Sequence, residues 1–286
     1  MAISKEEFDL FRDYIKSKSG ITLNYGKEYL VENRLSVLMA QNGCENLKDL
    51  YKKISLNGSA LGKKVIDAMT TNETLWFRDA TFVESVENKI IPWLVKKAQT
   101  KTIRIWSAAS STGQEAYSIA MLIDSALTKL GSAAPAASRF QIIGTDISPS
   151  VIFIAVAGRY SQLAVSRGMR PEFLTRYFKK EGVTYTIDEK LRKMVSFKQL
   201  NLTDSFLTMG KFDLILCRYV LIYFDEELKL KICSKFHQAL DSESLLSIGA
   251  TESLRGATDF SRIMTGRSTL YYPISNKSET FTGFEG

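Results

Sequence analysis

The residues of this chain best suited to chemistry stand just past short apolar runs of β character. Glu115 lies in "SAASSTGQEAYSIAM", after the run "TIRIW"; Asp146 closes "FQIIGTD"; Asn201 opens "NLTD"; Arg218 and Tyr219 interrupt "FDLILCRYVLIYFDEE". In an open α/β sheet, ligands bind beyond the carboxyl ends of the strands, so these residues are read as one set. Asp146 can accept hydrogen bonds from both hydroxyls of a ribose. Asn201 can read an adenine edge, and the small residues around Gly113 let main chain approach a ligand. The three spaced glycines of a dinucleotide fingerprint are missing, and so is a Gly-Lys-Ser/Thr phosphate loop. Glu115 at a helix start repels pyrophosphate and attracts a cation such as an amino group. Singly, each has a plain structural reading: Glu115 complements a helix N-terminus, worth about 0.3–1 kcal/mol, and Asp146 and Asp204 cap helices or turns. Together they suggest a nucleoside-bearing ligand without phosphates, of which S-adenosylmethionine is the common one.

The elements that must position these residues show in the hydrophobic period. From about residue 3 to 68, "FDLFRDYI", "YLVENRLSVLMA", "NLKDLYKKI" and "LGKKVIDAM" read as short helices broken by Gly20, Gly43 and "NGS". "TTNETLWFRD" interrupts, and another helix-like stretch, "TFVESVENKIIPWLVKKAQ", follows. After residue 102, "TIRIWSAA", "FQIIGTD", "MVSFKQLNL", "FDLILC" and "SLLSIGA" alternate with helical patterns, which predicts a Rossmann-like parallel α/β sheet. "SRIMT" and "STLYYPI", joined by Gly266 and Arg267, predict a closing hairpin with an antiparallel member. The long connection over residues 147–193 contains "VTYTI", which alternates like an exposed strand and predicts a small β insertion. The final "SNKSETFTGFEG" reads as a loose tail.

Composition limits the partners. A formal charge of +7 and a pI near 9.1 favour an acidic partner, whether nucleic acid, anionic membrane or protein surface. The basic residues are scattered among acids, and no zinc-finger or RNP-type signature is present, so nucleic acid is disfavoured. No apolar stretch approaches the roughly 20 residues of a membrane span, and "MAISKEEFDLFRDYIK" reads as an amphipathic helix and not a signal peptide. A cytoplasmic protein without membrane insertion is expected. Cys44, Cys217 and Cys233 are odd in number and widely spaced, which suits reduced core thiols better than disulfides or a metal site.

Six motifs occur in a fixed order: "AMTTNETLWFRD" (68–79), "IRIWSAASSTGQEAYSIAM" (103–121), "GTDIS" (144–148), "LNL" (200–202), "CRYVLIYF" (217–224) and "GATESL" (249–254). Carrying them, nearly the whole chain resembles the chemoreceptor glutamate methyltransferases of bacterial chemotaxis, the CheR family. The resemblance implies an N-terminal all-α domain (1–69), an interdomain linker and helix (70–101), and a Rossmann-like methyltransferase domain (102–286) with a small antiparallel β subdomain inserted at 170–195. It implies S-adenosylmethionine as methyl donor, S-adenosylhomocysteine as product, and glutamates in the cytoplasmic helical domain of chemoreceptors as acceptors. By position, the family's cofactor contacts fall on Asn72, Thr74, Arg78, Glu115, Asp146, Asn201, Leu202, Tyr219 and Val220. Arg78 and Tyr223 match residues beside the transferred methyl group. Some members also dock a receptor C-terminal peptide at the β subdomain by strand addition. Three departures are visible. Ser110 stands where the family usually has Cys, Ala116 where it usually has Pro, and Tyr219 where "CRNV" usually places Asn. If the Asn works through its backbone, Tyr can substitute; if through its amide, a phenol lacks the same donor and acceptor pair.

The implied chemistry agrees with the residues available. A glutamate carboxylate, with a reference pKa of about 4.3, is ionised near neutral pH and attacks a sulfonium methyl without a general base. His237, the single histidine, sits in the helix-like "KICSKFHQAL" far from every motif. What the reaction needs is in-line placement in a dry site. The planar fork of Arg78 suits a carboxylate of acceptor or cofactor. Tyr223 suits the methyl channel or, on its plain reading, core packing. Trp76 and Phe77 are expected to pack the interdomain segment, and Arg218 to fix the turn after its strand. A basic face with Lys16, Lys18, Arg34, Lys52, Lys53, Lys63 and Lys64 would steer an acidic receptor, although interleaved acids also make it an ordinary solvated surface. Two rivals stay open: a non-catalytic S-adenosylmethionine-binding signalling or scaffold module, motivated by Tyr219, and a nucleic-acid methyltransferase, suggested by the basic pI.

Overall fold

The computed structural model describes residues 3–57, 59–275 and 280–284. The chain divides into two compact units, Met1–Thr71 with Ile222–Leu228, and Asn72–Leu221 with Lys229–Gly286. The first unit is built on the helices Lys5–Ser19, Glu28–Gln41, Leu47–Asn57 and Ser59–Met69. The first of them begins where Ser4 Oγ accepts from the Glu7 N–H and Glu7 answers at the Ser4 N–H, a reciprocal capping box. It ends at Gly20, whose φ of 77° gives the left-handed turn that glycine adopts without strain. Phe8, Phe11 and Ile15, at helical spacing, are its buried face, and Val31, Leu35 and Leu38 are that of the second helix. Residues 222–228 join this unit, with the Thr22 N–H donating to the Tyr223 carbonyl and Lys16 pairing with Asp225 at 2.8 Å.

Among the described residues the second unit holds ten strands: β1 (Ile103–Ala108), β2 (Phe140–Asp146), β3 (Arg159–Ser161), β4 (Phe178–Glu181), β5 (Thr184–Ile187), β6 (Val195–Gln199), β7 (Phe212–Cys217), β8 (Leu240–Ile248), β9 (Phe260–Thr265) and β10 (Ser268–Pro273). Seven of them form one sheet in the order β6-β2-β1-β7-β8-β10-β9. β6 to β8 run parallel, and β10 enters antiparallel between β8 and β9. Every residue of β7 is buried, as a strand covered on both faces requires. The helix Gln114–Leu130 lays Tyr117, Ile119, Ala120 and Ile123 into the core, the face expected from their spacing. Gly266, at φ 60°, turns the closing hairpin.

The remaining strands make a small antiparallel sheet, β3-β5-β4. One of its strands, residues 159–161, comes from ahead of the 170–195 stretch. "VTYTI" is not simply exposed, because β5 is the central strand and buries Tyr185 and Ile187 on one face. The architecture is thus a Rossmann-like sheet with a helical N-terminal unit and an inserted antiparallel sheet. Trp76 and Phe77 lie in this second unit. Trp76 is fully buried edge-on to Tyr160 and Phe178, with Nε1 donating to the Ala164 carbonyl, and Phe77 stacks on Phe173. The tail is not wholly loose either. Phe281 is buried against Trp93 and Tyr272, whereas residues 276–279 and 285–286 lie outside the described residues. Among the described residues no helix is long and apolar enough to cross a membrane.

Candidate functional site

From β1 the chain winds outward to β2 and β6, then returns to β7 on the other side, so strand order reverses between β1 and β7. A ligand crevice is expected outside the carboxyl ends of these two strands. Among the described residues, the non-glycine positions with positive φ are Phe77, Asp79, Ala109, Ser111 and Tyr219. Ala109 and Ser111 follow β1, and Tyr219 follows β7. Phe77 and Asp79 belong to the 72–79 strap, which is tied to the same end of the sheet by Ser111 Oγ donating to the Asn72 carbonyl at 2.8 Å. Such backbone costs about 1–3 kcal/mol per residue and concentrates where function over-determines the structure.

Arg218 is the hub of this region. Its side chain is 2% exposed and lies between Asp79 Oδ2 at 3.1 Å and Glu115 Oε2 at 3.4 Å, while it also donates to the Arg78 carbonyl at 3.3 Å. The guanidinium stacks on Phe82 at 3.9 Å. Glu115 accepts a second bond from the Ser107 hydroxyl at 2.7 Å. Arg218 therefore fixes the turn after β7, as expected, by welding it to the strap and to the helix after β1. Burial works to raise the Asp79 carboxyl, but the Thr81 hydroxyl, the Arg218 charge, the Phe82 N–H and the Tyr219 hydroxyl together hold it below its ordinary value.

Tyr219 shows why an asparagine would be at ease there. Its φ of 61° is left-handed, a conformation Asn reaches more readily than an aromatic residue. Its main-chain N–H donates to Glu252 Oε2 at 2.7 Å, the Val220 N–H to Oε1 at 2.9 Å, and the Gly249 N–H to Oε2 at 2.7 Å. One carboxylate thus clamps the ends of β7 and β8. The Tyr219 ring lies 3.7 Å under the Arg78 guanidinium, and its hydroxyl makes a long 3.3 Å bond to Asp79.

The other strand ends are held from within. Asp146 accepts the Ser111 N–H at 2.9 Å and the Ser148 N–H at 3.0 Å, linking the loops after β1 and β2. Asn201 accepts the Thr203 N–H at 3.0 Å, shaping the turn after β6, and Leu202 is buried. Lys235 donates to the carbonyls of Thr203 at 2.6 Å and Asp204 at 2.9 Å, fixing the same turn. Thr74 is half-buried on the strap. Asn72, Thr74, Arg78, Glu115, Asp146, Tyr219 and Val220 accordingly lie on mutually bonded segments of the second unit, with Asn201 and Leu202 beyond the neighbouring β6. Tyr223 belongs to the first unit.

Asp79, Glu252 and Lys235 were not among the expected site residues. Asp79 had a local signal, as the acid capping the helix Ala80–Ser85, and Glu252 lies in the "GATESL" motif; Lys235 had none. Of the basic-face candidates, Arg34 is engaged with the carbonyls of Met69 and Thr70, Lys53 with that of Asn42, and Lys16 with Asp225, while Lys63 and Lys64 are exposed. His237 contacts the Ile274 carbonyl at 3.3 Å and the edge of Phe260. Cys217 and Cys233 are buried free thiols; burial pushes the first well up and the second to about 11, so neither is a ready nucleophile.

The donor set fits S-adenosylmethionine. Asp79 and Glu115 pair with Arg218, while Asp146 and Glu252 accept main-chain N–H groups of the neighbouring loops, so four carboxylates gather at these strand ends, a set that favours the sulfonium and ammonium of that cofactor over a pyrophosphate. Comparison with known proteins agrees. Residues 72–270 match the family model described as CheR methyltransferase, SAM binding domain, and residues 6–70 that described as CheR methyltransferase, all-alpha domain. The chain is 42% identical to chemotaxis protein methyltransferase 1 of Pseudomonas aeruginosa, over 91% of this chain and 94% of that one. It is 40% identical to the chemotaxis protein methyltransferase of Vibrio parahaemolyticus, over 91% and 93%. The chain belongs to the CheR methyltransferase family, as an S-adenosylmethionine-dependent methyltransferase of chemotaxis.

Proposed function

We propose that this methyltransferase acts in the cytoplasm on glutamate side chains of bacterial chemoreceptors, converting them to methyl esters. The observation that carries the proposal is the stacked Arg78 guanidinium beside the strand-end cradle, with the chain's one histidine placed elsewhere. A carboxylate acceptor needs a cation to orient it and no base to deprotonate it. When bound, S-adenosylmethionine supplies an electrophilic methyl on sulfur. Asp146 takes the ribose hydroxyls, Asn201 and Leu202 the adenine, and Glu115 the amino group, with Asn72, Thr74, Tyr219 and Val220 forming the surrounding wall. Arg78 holds the acceptor carboxylate in line, where positioning lowers the barrier most. The role of Tyr223, hydrogen-bonding the acceptor oxygen, rests on its place in the family motif alone.

Chemoreceptor helices are the acceptors in this reading, steered by the basic face of the helical unit. A receptor C-terminal peptide would add to β3 or β4, the edges of the small sheet. The test is transfer of labelled methyl groups from S-adenosylmethionine to receptor-enriched membranes, with the label released as methanol by alkali. Absence of base-labile label on every receptor overturns the proposal. Arg78→Ala should lower transfer by about a hundredfold and leave the unfolding midpoint in place; unchanged turnover removes Arg78 from the site.

A further inference from the structure

We infer that Tyr219 is a positioning residue for Arg78, its ring serving as the platform that holds the guanidinium in working orientation. The inference rests on the reading of Arg78 given above. The platform is locked at three points. Its main-chain N–H is bound to Glu252 at 2.7 Å, and its hydroxyl bonds to Asp79 at 3.3 Å. Its ring edge lies so close to Gly249 that a Cβ there would sit 2.9 Å from Cδ1. Arg78 then stacks 3.7 Å from the ring centroid, and its Nη1 donates to the Glu73 carbonyl at 3.3 Å. A guanidinium carbon 3.7 Å over the ring centroid is held by the π face of the ring, which forms no hydrogen bond with its N–H groups and so leaves them for a carboxylate. An asparagine at 219 offers no such face. Tyr219 thus holds a left-handed backbone that is costly for an aromatic residue, while its ring supports Arg78.

Strain and function therefore predict opposite signs for one substitution. Tyr219→Asn relieves the left-handed backbone, so its unfolding midpoint should not fall, while kcat falls about 3- to 30-fold for loss of the stack. Tyr219→Phe keeps the ring face and should be at least about threefold faster than Tyr219→Asn. In an Arg78→Ala background, Tyr219→Asn should cost nothing further, because the group it positions is gone. The assay is initial-rate methyl transfer to receptor membranes for all four variants, with calorimetric affinity for S-adenosylhomocysteine measured in parallel. Wild-type kcat in Tyr219→Asn, no advantage of Phe over Asn, or full additivity with Arg78→Ala would each overturn the inference. Wild-type turnover in Arg78→Ala by itself overturns the role of Arg78, and with it this dependent one. A loss in Tyr219→Asn matched by an equal loss of S-adenosylhomocysteine affinity would instead place the residue in cofactor binding and overturn positioning.

Discussion

Replacing Arg218 with methionine removes the central charge of the strand-end cradle while keeping a chain of similar length against Phe82. The guanidinium, 2% exposed, is taken from Asp79 at 3.1 Å, Glu115 at 3.4 Å and the Arg78 carbonyl at 3.3 Å. Breaking a buried ion pair from one side costs about 3–5 kcal/mol. Here two things reduce it. The carboxylates keep 14% and 19% of their side-chain surface for water, and the buried Arg218 Nε, which lacks a hydrogen-bond partner, disappears. The expected loss at pH 7 is about 2–4 kcal/mol. Its pH dependence follows from Asp79, whose carboxyl is held low in the native protein. A depressed carboxyl contributes stability above its unfolded pKa of about 3.9, and that stability is lost as pH falls through the folded value. Without Arg218, Asp79 loses one of the groups that hold it low and takes up its proton at higher pH than in the wild type, so the gap between variant and wild type narrows from pH 7 towards pH 4.5. Urea unfolding followed by tryptophan fluorescence reads this directly, since Trp76, Trp93 and Trp106 all belong to the second unit. A loss below about 1 kcal/mol at pH 7, or one equal at both pH values, refutes the reasoning.

Three further outcomes are expected. The Ser110 hydroxyl is buried without a hydrogen-bond partner at a position where a thiol needs none, so Ser110→Cys should raise stability by about 1 kcal/mol in the same unfolding assay. Glu252→Gln leaves one amide oxygen to serve the N–H groups of Tyr219, Val220 and Gly249 and should cost about 1.5–3 kcal/mol, with weaker S-adenosylhomocysteine binding by calorimetry. Native thiol titration at pH 8 should modify Cys44 first, with Cys217 and Cys233 reacting only after denaturant is added; rapid native labelling of Cys217 would contradict its buried, raised-pKa state.

The sheet was readable because a buried strand needs an apolar run and a strand end needs a change of composition, both local properties. Hence β1, β2, β6, β7 and β8, the closing hairpin and the buried face of the helix after β1 lie where the pattern places them. The strand-end rule picked out Asp146, Asn201 and Glu115 for the same reason. Trp76 was legible as an aromatic to be buried, yet its partners, Tyr160 and Phe178, are set by where the inserted sheet folds back. Phe281 looked like part of a polar tail until Trp93 and Tyr272 supplied its cover.

By itself, then, the sequence determined the α/β class, the residues that close its strands, and through its ordered motifs the family. Only the tertiary structure decided how those ends are held together. Arg218 meets Asp79 across 139 positions and Glu115 across 103, and Glu252 reaches Tyr219 across 33. No local period records such pairings, because they arise when parallel strands bring their carboxyl ends to one edge and each buried charge must find a partner there. Tyr219 is the clearest case. Its identity was plain in the sequence, but its strained backbone and its stack beneath Arg78 exist only in the folded chain.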